Sequence, residues 1–370
     1  MEYTELKIQL MHDGAVFTQT ARNKMCRNKF GNIVFEDYAT TGGIVLQIDD
    51  EIYANVPVMF GDTPFYIDER ENRFVLEKDG NILPVSINIM PVPQFALNNI
   101  RLADGKTPVR DLVMIHADRM RISPIHGCNY HCQFCTCNIQ RYLENSIENL
   151  DQAVQIAFQD QNTHPRHILI SGGTPKAEES SYIYLNKVYH FFPNKYEDYK
   201  FDVMLSPRGR HIGETSENAY IDFLKYLHED CRISTLSVNL ELYNEKIRKA
   251  FIPDKWRIGK ENYLLFIKNA VEIFGRGNIR SSLVVGLEEK EDTLKGVEWL
   301  CACGCIPVLS AFVPASGTFA ERYPRPEVDF LVDIVHKASE IAKQNGTVLG
   351  PLCKPCTHNS LVEERGSIAF

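Results

Sequence analysis

The sequence predicts an α/β protein: a partial (βα)6 TIM-type barrel with a β-rich N-terminal domain before it and a short cysteine-containing C-terminal tail after it. Three observations lead there. From about residue 118, short apolar segments alternate six times with amphipathic stretches at helical spacing. Before residue 115, runs rich in Ile, Val, Tyr and Phe are broken by turn signals instead. After residue 345, a Cys-x2-Cys unit stands outside either pattern. The expected domains are therefore 1–115, 116–345 and 346–370.

In the first domain, residues 42–60 and 65–90 read as strands. They are separated by Gly61-Asp62-Thr63-Pro64 and interrupted at Asp79-Gly80-Asn81. Pro91, Pro93, Asn98 and Asn99 read as a connector. In the second domain, strands are expected at 120–125, 167–171, 201–205, 236–242, 279–287 and 306–312. Helices are expected at 147–158, 181–191, 217–228, 261–274 and 293–301. A last helix carries Val328, Leu331, Val332, Val335, Ala338 and Ala342 at helical spacing. Serial strand–helix units fold as a parallel sheet covered by helices, and in such barrels chemistry sits at the C-terminal ends of the strands.

The chain has 370 residues, 44% hydrophobic and 24% charged, with a formal net charge of −8. That composition excludes disorder and an overall nucleic-acid grip. A local basic patch around Arg119, Arg121, Arg208 and Arg210 stays open. No apolar run reaches the ~20 residues of a membrane-spanning helix, and Met1-Glu2-Tyr3-Thr4-Glu5 does not open a secretion signal. The expectation is a cytoplasmic protein. In a reducing compartment, the 11 cysteines point to metal or redox chemistry rather than disulfides.

Those cysteines cluster. Cys128, Cys132 and Cys135 have C-x3-C-x2-C spacing on one loop, with Cys137 two residues on. Three thiolates this close can hold an iron–sulfur cubane and leave one iron open to a small chelator. The same spacing also fits zinc, with Cys137 or His131 as fourth ligand. Cys353, Cys356 and His358 form a partial ligand set of their own. Cys301, Cys303 and Cys305 run from a helix into the sixth strand, where packing is the favoured reading, and Cys26 and Cys231 read as structural.

The segment Cys128-Asn129-Tyr130-His131-Cys132-Gln133-Phe134-Cys135 resembles the signature of the radical S-adenosylmethionine (SAM) superfamily, including the aromatic residue before the third cysteine. The likeness covers about residues 118–345. Ser171-Gly172-Gly173-Thr174-Pro175 resembles the family's glycine-rich motif, whose backbone meets the SAM amino group. Asn239-Leu240-Glu241 looks like the ribose-contacting element of biotin synthase and lipoyl synthase. Ser282 to Glu289 is similar to the fifth-strand motif of that branch, whose apolar residues, here Val285, pack on adenine. Arg208, at the expected rim of strand three, is placed to meet the SAM carboxylate or an anionic substrate.

The resemblance implies a [4Fe–4S] cluster on Cys128, Cys132 and Cys135, and SAM bound by Gly172, Gly173, Thr174, Pro175, Arg208, Asn239, Glu241 and Val285. It also implies reductive cleavage to a 5′-deoxyadenosyl radical, and hydrogen abstraction from a small-molecule or carrier-bound substrate. An electron donor such as flavodoxin or ferredoxin would be needed. Cys137 and Tyr130 are the candidate catalytic residues. A second iron–sulfur cluster on Cys353, Cys356 and His358, beside the substrate, would favour sulfur insertion. Carbon-skeleton chemistry, and a peptide or protein substrate, stay open as alternatives. So does a non-enzymatic zinc-binding interaction protein, which would be colourless where an iron–sulfur protein is brown.

Overall fold

The computed structural model describes residues 2–25, 27–31 and 43–362. Six parallel strands form the barrel: β1 (Arg119–Ile122), β2 (His167–Ile170), β3 (Lys200–Met204), β4 (Thr235–Ser237), β5 (Ile279–Val285) and β6 (Ile306–Ala311). They lie in sequential order within one sheet, and Val113–His116 adds an antiparallel strand beyond β1. The barrel is therefore partial, as expected, with one extra edge strand. Consecutive strands are joined through α1 (Ile147–Phe158), α2 (Glu179–Lys195), α3 (Glu217–Lys225), α4 (Lys260–Phe274) and α5 (Lys290–Ala302), and α6 (Val328–Gln344) follows β6.

Local chemistry explains these elements. In α1, the Asn149 amide donates to the Ser146 hydroxyl at 3.2 Å, an N-cap, and the Leu150, Ala153, Val154 and Ala157 stripe is fully buried. Ser216 caps α3 in the same way. The strands contribute Met120, Ile168, Ile170, Phe201, Val203, Leu236 and Leu283 to one core. Cys301 and Cys305 lie fully buried in that core, as does Cys231, so packing accounts for them. Cys26 lies outside the described residues.

β4 is shorter than expected. It ends at Ser237; four residues on, Glu241 takes a left-handed conformation (φ 67°) and meets the sheet again by a bridge to Leu283. Of the four arginines read as a local basic patch, Arg119 and Arg208 are each only 7% exposed and do not add to a basic surface.

The N-terminal region holds two sheets. One has the order Val58–Met59, Ala15–Phe17, Phe65–Arg70, Arg73–Lys78, Asn81–Ile82, and the other Ile52–Val56, Ile44–Ile48, Ile87–Ile89. Its separate core includes Leu10, Phe17, Leu46, Phe65 and Ile67. Helices at Tyr3–Asp13 and Gln19–Lys24 accompany the expected strands. Val92, Phe95, Leu112 and Val113 pack in the barrel core instead, so material placed before residue 115 belongs structurally with the barrel.

The described part of the C-terminal segment packs along the barrel. The Gly350 amide donates to Pro307 and the Leu361 amide to Leu309, which covers the outer edge of β6. The fully buried Lys7 ammonium reaches from the first helix to the Thr357 and Val362 carbonyls at 2.8 and 2.7 Å.

Candidate active site

The loop carrying Cys128, Cys132 and Cys135 leaves a short strand, Ile125–His126, at the C-terminal mouth of the barrel. Four backbone bonds hold it. Asn129 donates to Thr174 at 3.1 Å, Gly173 to Ile125 at 3.3 Å, Gln133 to Phe251 at 2.7 Å, and Ala320 to Gln133 at 3.0 Å. Apolar packing of Cys132 and Phe134 against Leu242, Phe251, Val284 and Phe312 anchors it further.

The glycines of the second-strand turn serve this docking. A Cβ on Gly173 would sit 1.6 Å from the Gly127 carbonyl oxygen, and one on Gly172 would sit 2.6 Å from that of Ile125. Their bareness lets the turn pack on the cysteine loop itself, in addition to any close approach of a ligand.

Above this loop lies a cavity of about 260 Å³. Cys128, Cys132, Cys135, Cys137 and Tyr130 line it, together with Gly172, Gly173, Thr174, Pro175, Arg208, Asn239 and Glu241. All the residues assigned to the mouth from sequence meet there except Val285, which is fully buried in the barrel core and does not reach the cavity. Its neighbour Val284 packs beneath the cysteine loop. His131 points outward, its ring against Asp254 at 3.0 Å.

The donors fit an iron–sulfur cluster. Backbone amides of Thr174 and Tyr130 donate to the Cys128 sulfur at 3.1 and 3.4 Å, and the Cys137 amide to the Cys135 sulfur at 3.5 Å. Such N–H···S bonds stabilise thiolate charge. The neighbouring Cys137 brings the Cys135 thiol down to about 7, while burial pushes Cys132 up to about 12.

Arg208 is built for an anion. Its guanidinium lies 4.6 Å from the Tyr182 ring and 4.5 Å from the Phe223 ring, and donates once, to Asn186 at 2.7 Å. Its Nε and Nη1 are buried without a hydrogen-bond acceptor. Burial pulls its pKa down, so an anion in the cavity would be favoured by charge and by hydrogen bonding.

Three residues of the site escaped sequence reasoning: Lys255, Ser206 and Tyr182. Lys255, on the short helix Pro253–Ile258, enters the cavity and bonds Glu241 at 2.8 Å and the Asn239 carbonyl at 3.0 Å. Burial opposes its charge, but Glu241 and the surrounding acidic groups outweigh that and raise its pKa. Asn239 is also held, accepting from Ser237 at 3.0 Å and from the Ser282 amide at 3.2 Å. Ser206 and Tyr182 complete the wall. No spacing in the sequence directs Lys255 inward; only the turn that places its helix over the mouth does so.

Cys353 and Cys356 stand elsewhere. They meet Asp118 and His167, residues at the N-terminal ends of β1 and β2, so they lie at the base of the barrel and not beside the cavity. His358 is not in that group. It is fully buried, bonds the Pro355 carbonyl through Nδ1 at 2.7 Å, and stacks on His116. The expected ligand set of Cys353, Cys356 and His358 is thus corrected, because the short helix Pro355–Asn359 turns His358 away from the two sulfurs.

Comparison with known proteins agrees with this geometry. Residues 122–300 match the model of the radical SAM superfamily, and they form a radical SAM domain. Enzymes with that domain use a [4Fe–4S] cluster and SAM.

Over 111 residues the chain is 30% identical to bacteriochlorophyllide c C-7(1)-hydroxylase of Chlorobaculum limnaeum, a match covering 30% of this chain and 28% of that protein. The chain thus spans less than a third of that curated relative. Among solved structures, the [FeFe]-hydrogenase maturase HydG is 14% identical with a TM-score of 0.48, covering 65% of this chain and 53% of its own. SuiB of Streptococcus suis bound to SAM is 13% identical with a TM-score of 0.45, covering 67% and 54%. No helix of the described residues is long and apolar enough to cross a membrane.

Proposed function

We propose that this chain binds a [4Fe–4S] cluster on Cys128, Cys132 and Cys135 and uses SAM to remove a hydrogen atom from a substrate held in the mouth cavity. When bound, the cluster supplies the electron that splits SAM into methionine and a 5′-deoxyadenosyl radical. The observation carrying this reading is the convergence of three cysteines, the Gly172–Pro175 turn, Arg208, Asn239 and Glu241 on one cavity.

Each residue has a task. The amides of Thr174 and Tyr130 steady the Cys128 thiolate. Arg208 offers two unsatisfied donor atoms to a carboxylate. Asn239 and Glu241, fixed by Ser282 and Lys255, present polar edges suited to a ribose. Tyr130 and Tyr182 wall the cavity and keep water from the reacting centre. Cys137, whose amide donates to the Cys135 sulfur and whose residue lines the cavity, is the leading candidate for a hydrogen or proton relay.

The substrate is a small molecule or a carrier-bound group, with a hydroxylase-like or other C–H functionalisation in keeping with the curated relative's name. Sulfur insertion loses its support, because Cys353 and Cys356 sit at the far end of the barrel. An electron donor such as flavodoxin or ferredoxin supplies the reducing equivalent.

The test is anaerobic reconstitution followed by dithionite and SAM. The wild-type chain is expected to hold about four irons and release 5′-deoxyadenosine. Cys132→Ala should release none while its circular dichroism stays native. Normal 5′-deoxyadenosine output from Cys132→Ala would refute the assignment.

A further inference from the structure

We propose that Asp118, His167, Cys353 and Cys356 form a structural zinc site at the base of the barrel. This site is independent of the cofactor chemistry at the mouth. It is the group of metal-competent side chains whose ligand atoms all lie within 4.8 Å of one another among the described residues.

The spacing is that of a single tetrahedral ion. Zinc bonds of ~2.0 Å to oxygen or nitrogen and ~2.3 Å to sulfur put neighbouring ligand atoms ~3.3–3.8 Å apart. The Cys353 sulfur is 3.4 Å from Asp118 Oδ1, the Cys356 sulfur 3.3 Å from His167 Nε2, and His167 Nε2 3.7 Å from Asp118 Oδ1. An iron–sulfur cluster spreads its ligands around several irons and does not suit so tight a group.

The donor types agree. Two sulfurs, one imidazole and one carboxylate suit a borderline-soft ion such as zinc, and four protein ligands close the coordination shell. No position stays open for substrate, so the role is structural. Burial supports this: Cys353 and Cys356 are 7% and 3% exposed, and the His167 and Asp118 side chains 12% and 19%.

The turn between the cysteines is shaped for ligation. In Cys353-Lys354-Pro355-Cys356, the Cys356 amide donates to the Cys353 sulfur at 3.3 Å, a bond that stabilises a thiolate. Pro355 opens the short helix that brings Cys356 back over the first sulfur. A zinc ion with two thiolates and one carboxylate carries a net negative charge, and Arg119 and Arg166 stand close enough to offset it.

The ion would join distant parts of the chain. Asp118 and His167 come from the starts of two barrel strands, and the cysteines come from the segment covering the edge of β6. The helix following Cys353 also packs on the N-terminal strand Ile52–Val56 and receives Lys7. The site thus fastens the C-terminal segment, and through it the N-terminal domain, to the barrel.

The experiment is metal analysis of the full chain, with the zinc X-ray absorption edge of the same sample. The wild-type chain should retain one zinc per chain, with an edge fitted by two sulfur and two lighter ligands. Cys132→Ala should lose iron and keep the zinc. Cys356→Ser should lose the zinc and keep the iron.

A cobalt(II) chloride titration of chelator-treated Cys132→Ala provides a second reading that does not require the base-site variant to fold. One equivalent should bind with thiolate-to-cobalt charge transfer and tetrahedral-intensity visible bands. Absence of both retained zinc and cobalt charge transfer would overturn the proposal. So would iron that is lost in Cys356→Ser but kept in Cys132→Ala, since that would place a cluster at the base. Failure of SAM cleavage with zinc retained would sink only the reading of the mouth.

Discussion

The two ends of this barrel both gather cysteines, but on opposite terms. At the mouth, three thiols from one loop border an open cavity that Arg208, Asn239, Glu241 and Lys255 also face. At the base, two thiols from one turn close on an imidazole and a carboxylate brought from two strands, with all four ligand atoms within 4.8 Å of one another. The mouth is open, with Arg208 donor atoms to spare. The base is a saturated knot. Spacing along the chain made the two look alike, as one metal site and one auxiliary site. Topology separates them, because parallel strands put residues that follow a strand at one end and residues that precede it at the other.

That comparison breaks first at Gly173. Its missing side chain lets the second-strand turn lie against Gly127 and Cys128. In Gly173→Ala, the new Cβ would fall 1.6 Å from a backbone oxygen, so the cysteine loop must move. A displacement of ~1 Å costs about 100-fold where geometry governs the chemistry. We expect at least that loss in 5′-deoxyadenosine formation and a loss of bound iron, with zinc unchanged. Equal loss of both metals would mean that the two ends are not independent.

A smaller effect is expected at Lys255. It is the cationic partner of Glu241 inside the cavity wall, at 2.8 Å. Lys255→Met leaves a largely buried carboxylate without its partner, which costs about 3–5 kcal/mol in buried pairs. Because the Glu241 side chain keeps 16% of its surface exposed, the lower end of that range applies. Chemical denaturation of the metal-loaded chain measures it. Adding Glu241→Gln should recover part of the loss, since the orphaned charge is then gone. No recovery in the double variant would show that Lys255 stabilises the wall by packing alone.

The strands and helices of the barrel were legible because each carries its period openly: the Leu150, Ala153, Val154 and Ala157 stripe of α1, the short buried runs of β2 and β3, and the paired glycines after β2. The cysteine triplet was legible because its ligands are close in sequence. Residues that reach the sites from afar were not. Lys255 arrives on the separate short helix Pro253–Ile258, and Asp118 and His167 become partners of Cys353 and Cys356 only by tertiary packing across more than 180 residues. Val285 failed for the opposite reason: alternation along β5 turns it into the core, where its fully buried side chain packs away from the cavity. The first helix, Tyr3–Asp13, carries only a weak amphipathic pattern because Lys7 sits on its buried face among Leu6, Ile8 and Leu10.

Lys7 gives the smallest of these effects and tests how the base is held without metal. Its ammonium is fully buried and donates to the carbonyls of Thr357 and Val362, on either side of the turn that covers the β6 edge. Lys7→Met keeps the apolar length of the side chain but takes this donor from the Val362 carbonyl, while the Thr357 carbonyl keeps the Ser360 amide at 2.9 Å and hydroxyl at 3.1 Å; an unsatisfied buried acceptor costs about 1–3 kcal/mol. With one carbonyl losing its donor and the other still satisfied, we expect about 2 kcal/mol in total. Thermal unfolding of the zinc-loaded chain reads the change. Proteolysis near residue 362 reads whether the segment has come loose. Lower stability with the segment still protected would locate the loss in the first helix, whereas release of the segment with zinc retained would show that the ion alone does not fasten it. If zinc and Lys7 hold the same turn, removing either should make the other count for more, a coupling that a double-variant cycle with Cys356→Ser measures directly.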